Sequence, residues 1–530
     1  MKPAGLLAEA SSHFAKALEI EMSAPTIIRL RPEDDVVIAA KAVCADTALP
    51  EHGITVLTDV PAGHKIAVRD IKAGSPVRKY NQIIGAASAD IPAGAHIHVH
   101  NLEMMEVEHD FAIGQDFHPV KHETKPVTFM GIKRPDGRVA TRNYIGILTS
   151  VNCSARVARV IADHFRRDIN PSALADFPNV DGVVALTHGI GCGVDVASEG
   201  MAMVRRTISG YAVHPNFGAV VIVGLGCEAN QISTIMDERE LSEKETLQAF
   251  TIQALGGTAK TIQHGIEKIR SILPTVNEVQ REPLPVSHLT VGLQCGGSDG
   301  YSGITANPAL GAAVDILVRN GGTAILSETP EVYGAEHLLT RRASSQIVGE
   351  KLVRRLEWWK EYCARNGAEM NNNPSAGNKA GGLTTILEKS LGAVAKGGTT
   401  PLNGVYEYAQ PITTKGLVFM DSPGFDPISA TGQVASGANL ICFTTGRGSA
   451  FGCMPSPSLK LSTNTATWKR QEEDMDINCG SIIDGDATID ELGKTIFQMI
   501  IDCASGKPSK SEAFGYGQDE FVPWQIGVVT

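Results

Sequence analysis

Hydrophobic positions fall into two textures along this chain. From residue 25 to about 102 the apolar runs are short, as in Ile27-Ile-Arg-Leu-Arg and Val36-Val-Ile-Ala-Ala, and turn phrases separate them. Val60-Pro-Ala-Gly-His-Lys, Ile71-Lys-Ala-Gly-Ser-Pro and Ile91-Pro-Ala-Gly-Ala-His echo one another. Repeated Ala-Gly turns between short strands predict a compact β module. Residues 103–130 are polar, with Glu103, Glu106, Glu108, His109 and Asp110, and read as a linker. From Gly131 on, longer apolar runs alternate with amphipathic stretches at 155–167 and 245–254, read as helices. That rhythm predicts an α/β region with mainly parallel sheets. Arg281-Glu-Pro-Leu-Pro divides it into parts 131–283 and 284–530, and a helix is predicted over 344–366. Residues 1–24 form a leader in which 5–22 can make a short amphipathic helix with Leu6, Leu7, Phe14 and Leu18 on one side.

Composition narrows the class. The 530 residues suit roughly three domains. A net charge of −11 argues against a nucleic-acid partner, which wants a basic face. A local basic pocket still suffices for an anionic small molecule. Ten cysteines in this length are too sparse for a disulfide scaffold. No apolar run reaches the roughly 18 residues of a membrane span, and the N-terminus lacks a signal-peptide pattern. The expectation is a cytoplasmic protein with reduced thiols and no membrane partner.

Four cysteines then stand out, because each follows a strand-like run. The runs are Ile145-Gly-Ile-Leu-Thr-Ser-Val-Asn-Cys153, Val183-Val-Ala-Leu-Thr-His-Gly-Ile-Gly-Cys192, Val220-Val-Ile-Val-Gly-Leu-Gly-Cys227 and Leu289-Thr-Val-Gly-Leu-Gln-Cys295. Carboxyl ends of strands line the ligand crevice of open α/β sheets. His188 and Cys192 share a glycine-rich loop, and both residue types suit a borderline metal such as iron(II) or zinc. Thiolates from separate loops also suit an iron–sulfur cluster, the lesser reading because close Cys spacings are missing. In the β module, His96, His98 and His100 alternate onto one face, and His64 lies in an Ala-Gly-His-Lys turn. Imidazoles so grouped serve as metal ligands or as acid and base. Arg447 in Thr-Thr-Gly-Arg-Gly, Lys379 and Asn378 in an Asn/Gly-rich stretch, and Arg142 offer grips for a carboxylate or a polyol.

These phrases resemble the altronate dehydratase / galactarate dehydratase family of sugar-acid hydro-lyases. Arg138-Val-Ala-Thr-Arg-Asn143, Gly224-Leu-Gly-Cys-Glu228, Gln294-Cys-Gly-Gly-Ser-Asp299, Ser302-Gly-Ile-Thr-Ala-Asn-Pro308, Asn373-Pro-Ser-Ala-Gly-Asn-Lys379 and Phe443-Thr-Thr-Gly-Arg-Gly448 carry the likeness. It implies an N-terminal SAF domain of β-clip fold and a two-part α/β catalytic region. It also implies a metal-dependent lyase yielding a 2-keto-3-deoxy sugar acid. The run His96-Ile-His-Val-His-Asn101 points to an altronate-type aldonate, with galactarate or a sulfolactate-type reaction as alternatives and a carbohydrate-binding protein as the non-enzyme reading. The expected cofactor is iron(II), with manganese or zinc next. Metal ligands are expected among His64, His98, His188, Cys192, Cys227 and Cys295. The acid and base are expected among His64, His98, His100 and His188. Arg142, Asp299, Asn307, Asn378, Lys379 and Arg447 are expected to bind substrate, and the chain to act as a homodimer.

Overall fold

The computed structural model describes residues 25–107 and 110–527. The predicted leader helix and two linker residues, Glu108 and His109, lie outside them.

The β module is built on a four-stranded antiparallel sheet. Val36–Ala39 is flanked by Ile27–Ile28 and Lys65–Ala67, and His96–Ile97 pairs with the latter. A second sheet of Pro76–Lys79, Gln82–Ala87 and Leu102–Glu103 packs beside it. Val36–Ala39 is apolar at every position because both of its faces are buried. Val37 and Ala39 fill the module's own small core. Val36 and Ile38 face a larger core shared with the C-terminal sheet. This strand therefore welds the module to the catalytic region.

A small antiparallel sheet follows, Thr128–Lys133 paired with Val139–Ala140 and Arg281–Pro285. The predicted divider is thus itself a strand. Its prolines are tolerated because it is an edge strand.

The middle region is a four-stranded parallel sheet in the order Gly182–Leu186, Tyr144–Thr149, Phe217–Gly224, Leu247–Thr251. Alternation along Tyr144–Thr149 serves two layers. Ile145 and Ile147 pack on helices Ala155–Asp163 and Thr258–Asn277. Tyr144 and Leu148 pack toward helix Glu199–Ala212. The 245–254 segment, expected as helix, is the edge strand Leu247–Thr251. Parallel pairing with Phe217–Gly224 outweighs the helix propensity of its Leu, Gln and Ala residues, which is only a weak prior.

The C-terminal region holds a seven-stranded parallel sheet. Its order is Leu402–Tyr406, Gly416–Met420, Thr323–Leu326, Thr290–Cys295, Leu440–Thr445, Ser458–Ser462, Ile477–Asn478. Helices Ala306–Arg319 and Ile489–Ala504 cover one face. Asp426–Ala435 covers the other and shares its core with Glu199–Ala212 of the middle region. The helix expected over 344–366 is Gln346–Arg365, started by Ser345, whose hydroxyl accepts from the Val348 N–H. Trp359 on that helix stacks on Trp524, 5.4 Å between ring centres, and so helps fix the C-terminal tail.

Candidate active site

Thr290–Cys295 is the central strand of the seven-stranded sheet. The chain builds outward from it, to Thr323–Leu326 on one side and Leu440–Thr445 on the other. Such a switch point opens a crevice at the carboxyl ends of the two strands. Its walls are the loops 295–299 and 444–448. The Gly297 carbonyl accepts from the N–H groups of Gly446 (3.1 Å) and Arg447 (2.9 Å), which ties the loops together. Glycine at 446 is required, because a Cβ there would lie 2.1 Å from the Asp299 carboxyl carbon.

Asp299 is buried beneath this junction. It accepts from Thr463 Oγ1 (2.9 Å to each oxygen), Asn464 Nδ2 (3.0 Å), Ser302 Oγ (3.1 Å) and the Tyr301 N–H (3.1 Å). Burial pushes its carboxyl above the usual range against these donors. Asn307 accepts from Thr444 Oγ1 (2.6 Å) and donates to the Gly392 carbonyl (2.9 Å). Asn378 donates to the Ser298 carbonyl (2.8 Å) and completes the capping box of helix Ala376–Ala380. These three expected substrate ligands are spent on holding the loops. Arg447 is exposed and Lys379 half-buried, so both remain available.

The β module closes over these loops. A Cβ on Gly300 would fall 2.0 Å from the Gly63 carbonyl oxygen, and one on Gly382 would fall 2.3 Å from it. Tyr301 donates its hydroxyl to the Ala40 carbonyl at 3.0 Å. Lys65 and Lys79, both buried, converge on the buried carboxylate of Glu388. Lys65 Nζ lies 2.8 Å from Oε2, and Lys79 Nζ 2.9 Å from Oε1. Burial pulls Lys65 down to about 8, whereas the two ammonium groups overcome burial and hold Glu388 far below the carboxylate range.

The histidines sit at this seam. His98 Nε2 is 2.8 Å from the Lys379 carbonyl, and His64 Nε2 is 3.3 Å from that of Ala380. A carbonyl only accepts, so both Nε2 atoms carry hydrogen. His64 Nδ1 then accepts from His96 Nε2 at 3.0 Å, and a neutral His98 with its hydrogen on Nε2 keeps a lone pair on Nδ1. Burial lowers all three imidazoles, His64 and His96 to about 4, so they are neutral near pH 7. His100 is exposed, 5.4 Å from the His96 ring centre.

A second group sits at the same strand ends. Cys295, Glu328 and Glu331 bring one ligand atom each within 4.8 Å of one another, all buried. Lys396 Nζ is 2.8 Å from Cys295 Sγ and 3.6 Å from Glu328 Oε2. Lys389 Nζ is 2.7 Å from Glu331 Oε1. A Cβ on Gly296 would fall 2.2 Å from Asp426 Oδ2, so Asp426 stands against the loop after Cys295. Glu328 adopts φ 69°, a left-handed conformation that costs a non-glycine residue energy. Neither of its oxygens has a hydrogen-bond partner. Strain plus a buried carboxylate held only by a 3.6 Å ion pair to Lys396 makes Glu328 a candidate functional position.

Charge counting tests this group against a metal. Four acids (Cys295, Glu328, Glu331 and Asp426) face two ammonium groups. Burial, and then the Glu331 charge, pushes Asp426 up to about 7. Burial pushes Cys295 up to about 12 and Glu328 well up, the latter helped by Glu331. Lys389 and Lys396 outweigh burial to keep Glu331 ionised. Full ionisation would leave two negative charges uncompensated, the amount a divalent cation carries. One sulfur and two carboxylates suit a borderline ion, so the residues fit.

The remaining expected residues lie elsewhere. His188 is buried, with Nε2 2.8 Å from the Thr149 carbonyl and Nδ1 accepting from the Ile190 N–H at 3.3 Å, so neither nitrogen is open. Cys192 and Cys227 are exposed on the middle sheet, apart from the Cys295 group. Arg142 is buried and bidentate to Glu512 (2.6 and 2.8 Å), fastening the C-terminal segment. Sequence reasoning passed over Glu328, Glu331, Lys389, Lys396, Asp426 and Glu388. Ser-Glu-Thr-Pro-Glu directly follows the apolar run Thr323–Leu326, so the strand-end logic applied to the cysteines would have found the two glutamates had it been extended to carboxylates.

A capped crevice at a parallel-sheet switch point, beside a buried cluster of acids and lysines, defines an α/β enzyme for a small polar substrate. Family comparison agrees region by region. Residues 25–105 match the altronate/galactarate dehydratase SAF domain. Residues 131–277 match the D-galactarate dehydratase/altronate hydrolase second domain, and 286–529 match the D-galactarate/altronate dehydratase C-terminal domain. The chain is 37% identical to galactarate dehydratase (L-threo-forming) of Escherichia coli K12, over 92% of this chain and 95% of the relative. It is 33% identical to altronate dehydratase of Bacillus subtilis 168 (91% and 95%) and 33% to that of Escherichia coli K12 (92% and 96%). This chain belongs to the altronate/galactarate dehydratase family of hydro-lyases, and it carries the expected SAF domain followed by α/β regions with parallel sheets. No helix among the described residues is long and apolar enough to cross a membrane.

Proposed function

We propose that this enzyme dehydrates a six-carbon sugar acid of the altronate type to its 2-keto-3-deoxy acid in the switch-point crevice. The observation that carries the assignment of roles is His98, a neutral imidazole with an open Nδ1 held over the crevice loops by the Lys379 carbonyl. Arg447 and Lys379 grip the substrate carboxylate, the arginine bidentately. His98 Nδ1 takes the C2 proton. The electron pair of that C–H bond forms the C2–C3 double bond as the C3–oxygen bond breaks. Asp426, with a pKa near 7, delivers the proton that lets the hydroxyl leave as water. The resulting enol becomes the 2-keto acid by tautomerisation. A divalent ion, iron(II) before manganese or zinc, held by Cys295, Glu328 and Glu331 would supply Lewis acidity that stabilises negative charge building on the substrate. His64, His96 and the Glu388 pairs position the cap and exclude water.

The higher identity to the galactarate relative favours a hexarate as the second reading. Anaerobic turnover of altronate, galactarate and sulfolactate with added iron(II), followed as 2-keto-3-deoxy acid and sulfite, tests both. Fastest keto-acid formation from altronate is expected. Faster galactarate turnover would move the assignment to the hexarate. Sulfite release, or no turnover of any member, would overturn it.

A further inference from the structure

The middle sheet has its own switch point, between strands Tyr144–Thr149 and Phe217–Gly224. The mechanism above makes no use of it. Three adjacent strands end level there, with Leu148 opposite Leu186 and Thr149 opposite Val223. Cys153, Cys192 and Cys227 follow those three strands. All three are exposed, whereas of the other seven cysteines only Cys44 is. Exposed free thiols are costly surface chemistry, and three on one sheet edge are not explained by packing.

Hydrogen bonds draw the three loops together. Asn152 N–H donates to the Ile190 carbonyl at 3.0 Å, and Asn230 N–H donates to that of Gly191 at 3.0 Å. Asn230 Nδ2 donates to the Ser150 carbonyl at 3.0 Å. Asn230 is fully buried, yet its Oδ1 has no partner. An unpaired acceptor at such a junction calls for a hydrogen-bond donor, such as a water held between the loops. Cys153 also stands in the turn that opens helix Ala155–Asp163, whose positive end favours an anion.

We propose that Cys153, Cys192 and Cys227 are the three protein ligands of an iron–sulfur cluster, a site separate from the Cys295 group. Geometry favours a cluster over a single ion. Thiolates on one tetrahedral ion stand about 3.8 Å apart, given bonds of ~2.3 Å. Among the described residues only Cys295, Glu328 and Glu331 bring three ligand atoms within 4.8 Å of one another. A cluster spreads its thiolates wider, and soft sulfur ligands select it. Three thiolates leave one iron open to water or to a small oxygen ligand.

The test is anaerobic reconstitution of the full chain with iron(II) and sulfide. Equal amounts of bound iron and acid-labile sulfide are expected, with broad visible absorption. Cys153→Ser, Cys192→Ser and Cys227→Ser should each lose most of both, while Cys44→Ser, another exposed thiol, keeps them. The triple serine variant should bind no sulfide, with an unchanged circular dichroism spectrum. Reconstituted wild type without labile sulfide, or labile sulfide undiminished in the triple variant, would overturn the proposal. None of these readouts depends on turnover, so they stand apart from the dehydratase assignment.

Discussion

Replacing Glu388 by glutamine should loosen the β module from the crevice it covers. The carboxylate accepts from Lys65 Nζ (3.0 and 2.8 Å), Lys79 Nζ (2.9 Å), Thr384 N–H (3.0 Å) and Thr384 Oγ1 (2.7 Å). Lys65 and Lys79 are 0% and 1% exposed, so water cannot replace it. Glutamine keeps the shape but loses the charge, and its amide N–H groups would face ammonium donors. Removing one partner of a buried ion pair costs about 3–5 kcal/mol. Lys65, already drawn down to about 8, can shed its proton, which pulls the loss toward the lower end. At about 2–4 °C per kcal/mol for a unit of roughly 250 residues, the size of region 284–530 that holds Glu388, the Tm of that region should fall by roughly 6–20 °C. Calorimetry gives that number. Hydrogen exchange should rise at residues 64–67 and 381–388, and kcat should fall because the cap carries His98. A Tm within about 2 °C of wild type with unchanged exchange would refute the argument. The combined Lys65→Met, Lys79→Met, Glu388→Leu variant should recover stability, since apolar replacement of a whole buried cluster is often neutral.

Arg447→Lys should raise KM or lower kcat about tenfold, because lysine loses the bidentate fork; unchanged kinetics would remove Arg447 from carboxylate binding. Asp426→Asn should lower kcat by about 10²–10⁴-fold with KM little changed and abolish the limb of the pH profile near 7; a retained limb would assign that limb to another group. Glu328→Gln should weaken binding of iron(II) or manganese, measured by equilibrium dialysis, while Tm holds or rises as a strained buried acid is neutralised; unchanged metal affinity would exclude Glu328 as a ligand. Acid should undock the cap. His64 and His96 have folded pKa values of about 4, below the unfolded 6.5, so between those values the unfolded chain binds more protons and stability falls as pH falls. His64→Gln should flatten that slope in urea melts taken at pH 5 and 7, and an equal slope would show that the imidazoles do not carry it.

Strand-end position was legible because it follows from local pattern. An apolar run that closes on Cys153, Cys192, Cys227 or Cys295 announces a parallel strand and its loop together, and all four runs are strands. The helix expected over 344–366, seen as Gln346–Arg365, and the turns of the β module were legible for the same reason. Local pattern failed at Leu247–Thr251, where helix-forming residues serve as an edge strand because a neighbouring strand offers its backbone. It also could not rank the polar residues. Asp299, Asn307 and Asn378 look like polyol ligands in sequence, yet their side chains are used in tying loops. Lys65 and Glu388, 323 residues apart, look like ordinary surface charges.

Reading along the chain was enough for the family, for a SAF domain followed by α/β regions, and for the strand ends that carry the four cysteines. Hydrophobic period, turn residues and motif phrases are written in neighbouring positions, so they survive reading along the chain. Three-dimensional packing alone reveals which histidine keeps a free nitrogen, which acids lie buried against which lysines, and that Cys295 is buried whereas Cys153, Cys192 and Cys227 are exposed. Those are matters of burial and of partners brought together across hundreds of residues. The energy of a charged or polar side chain is set by those partners and by the water they exclude.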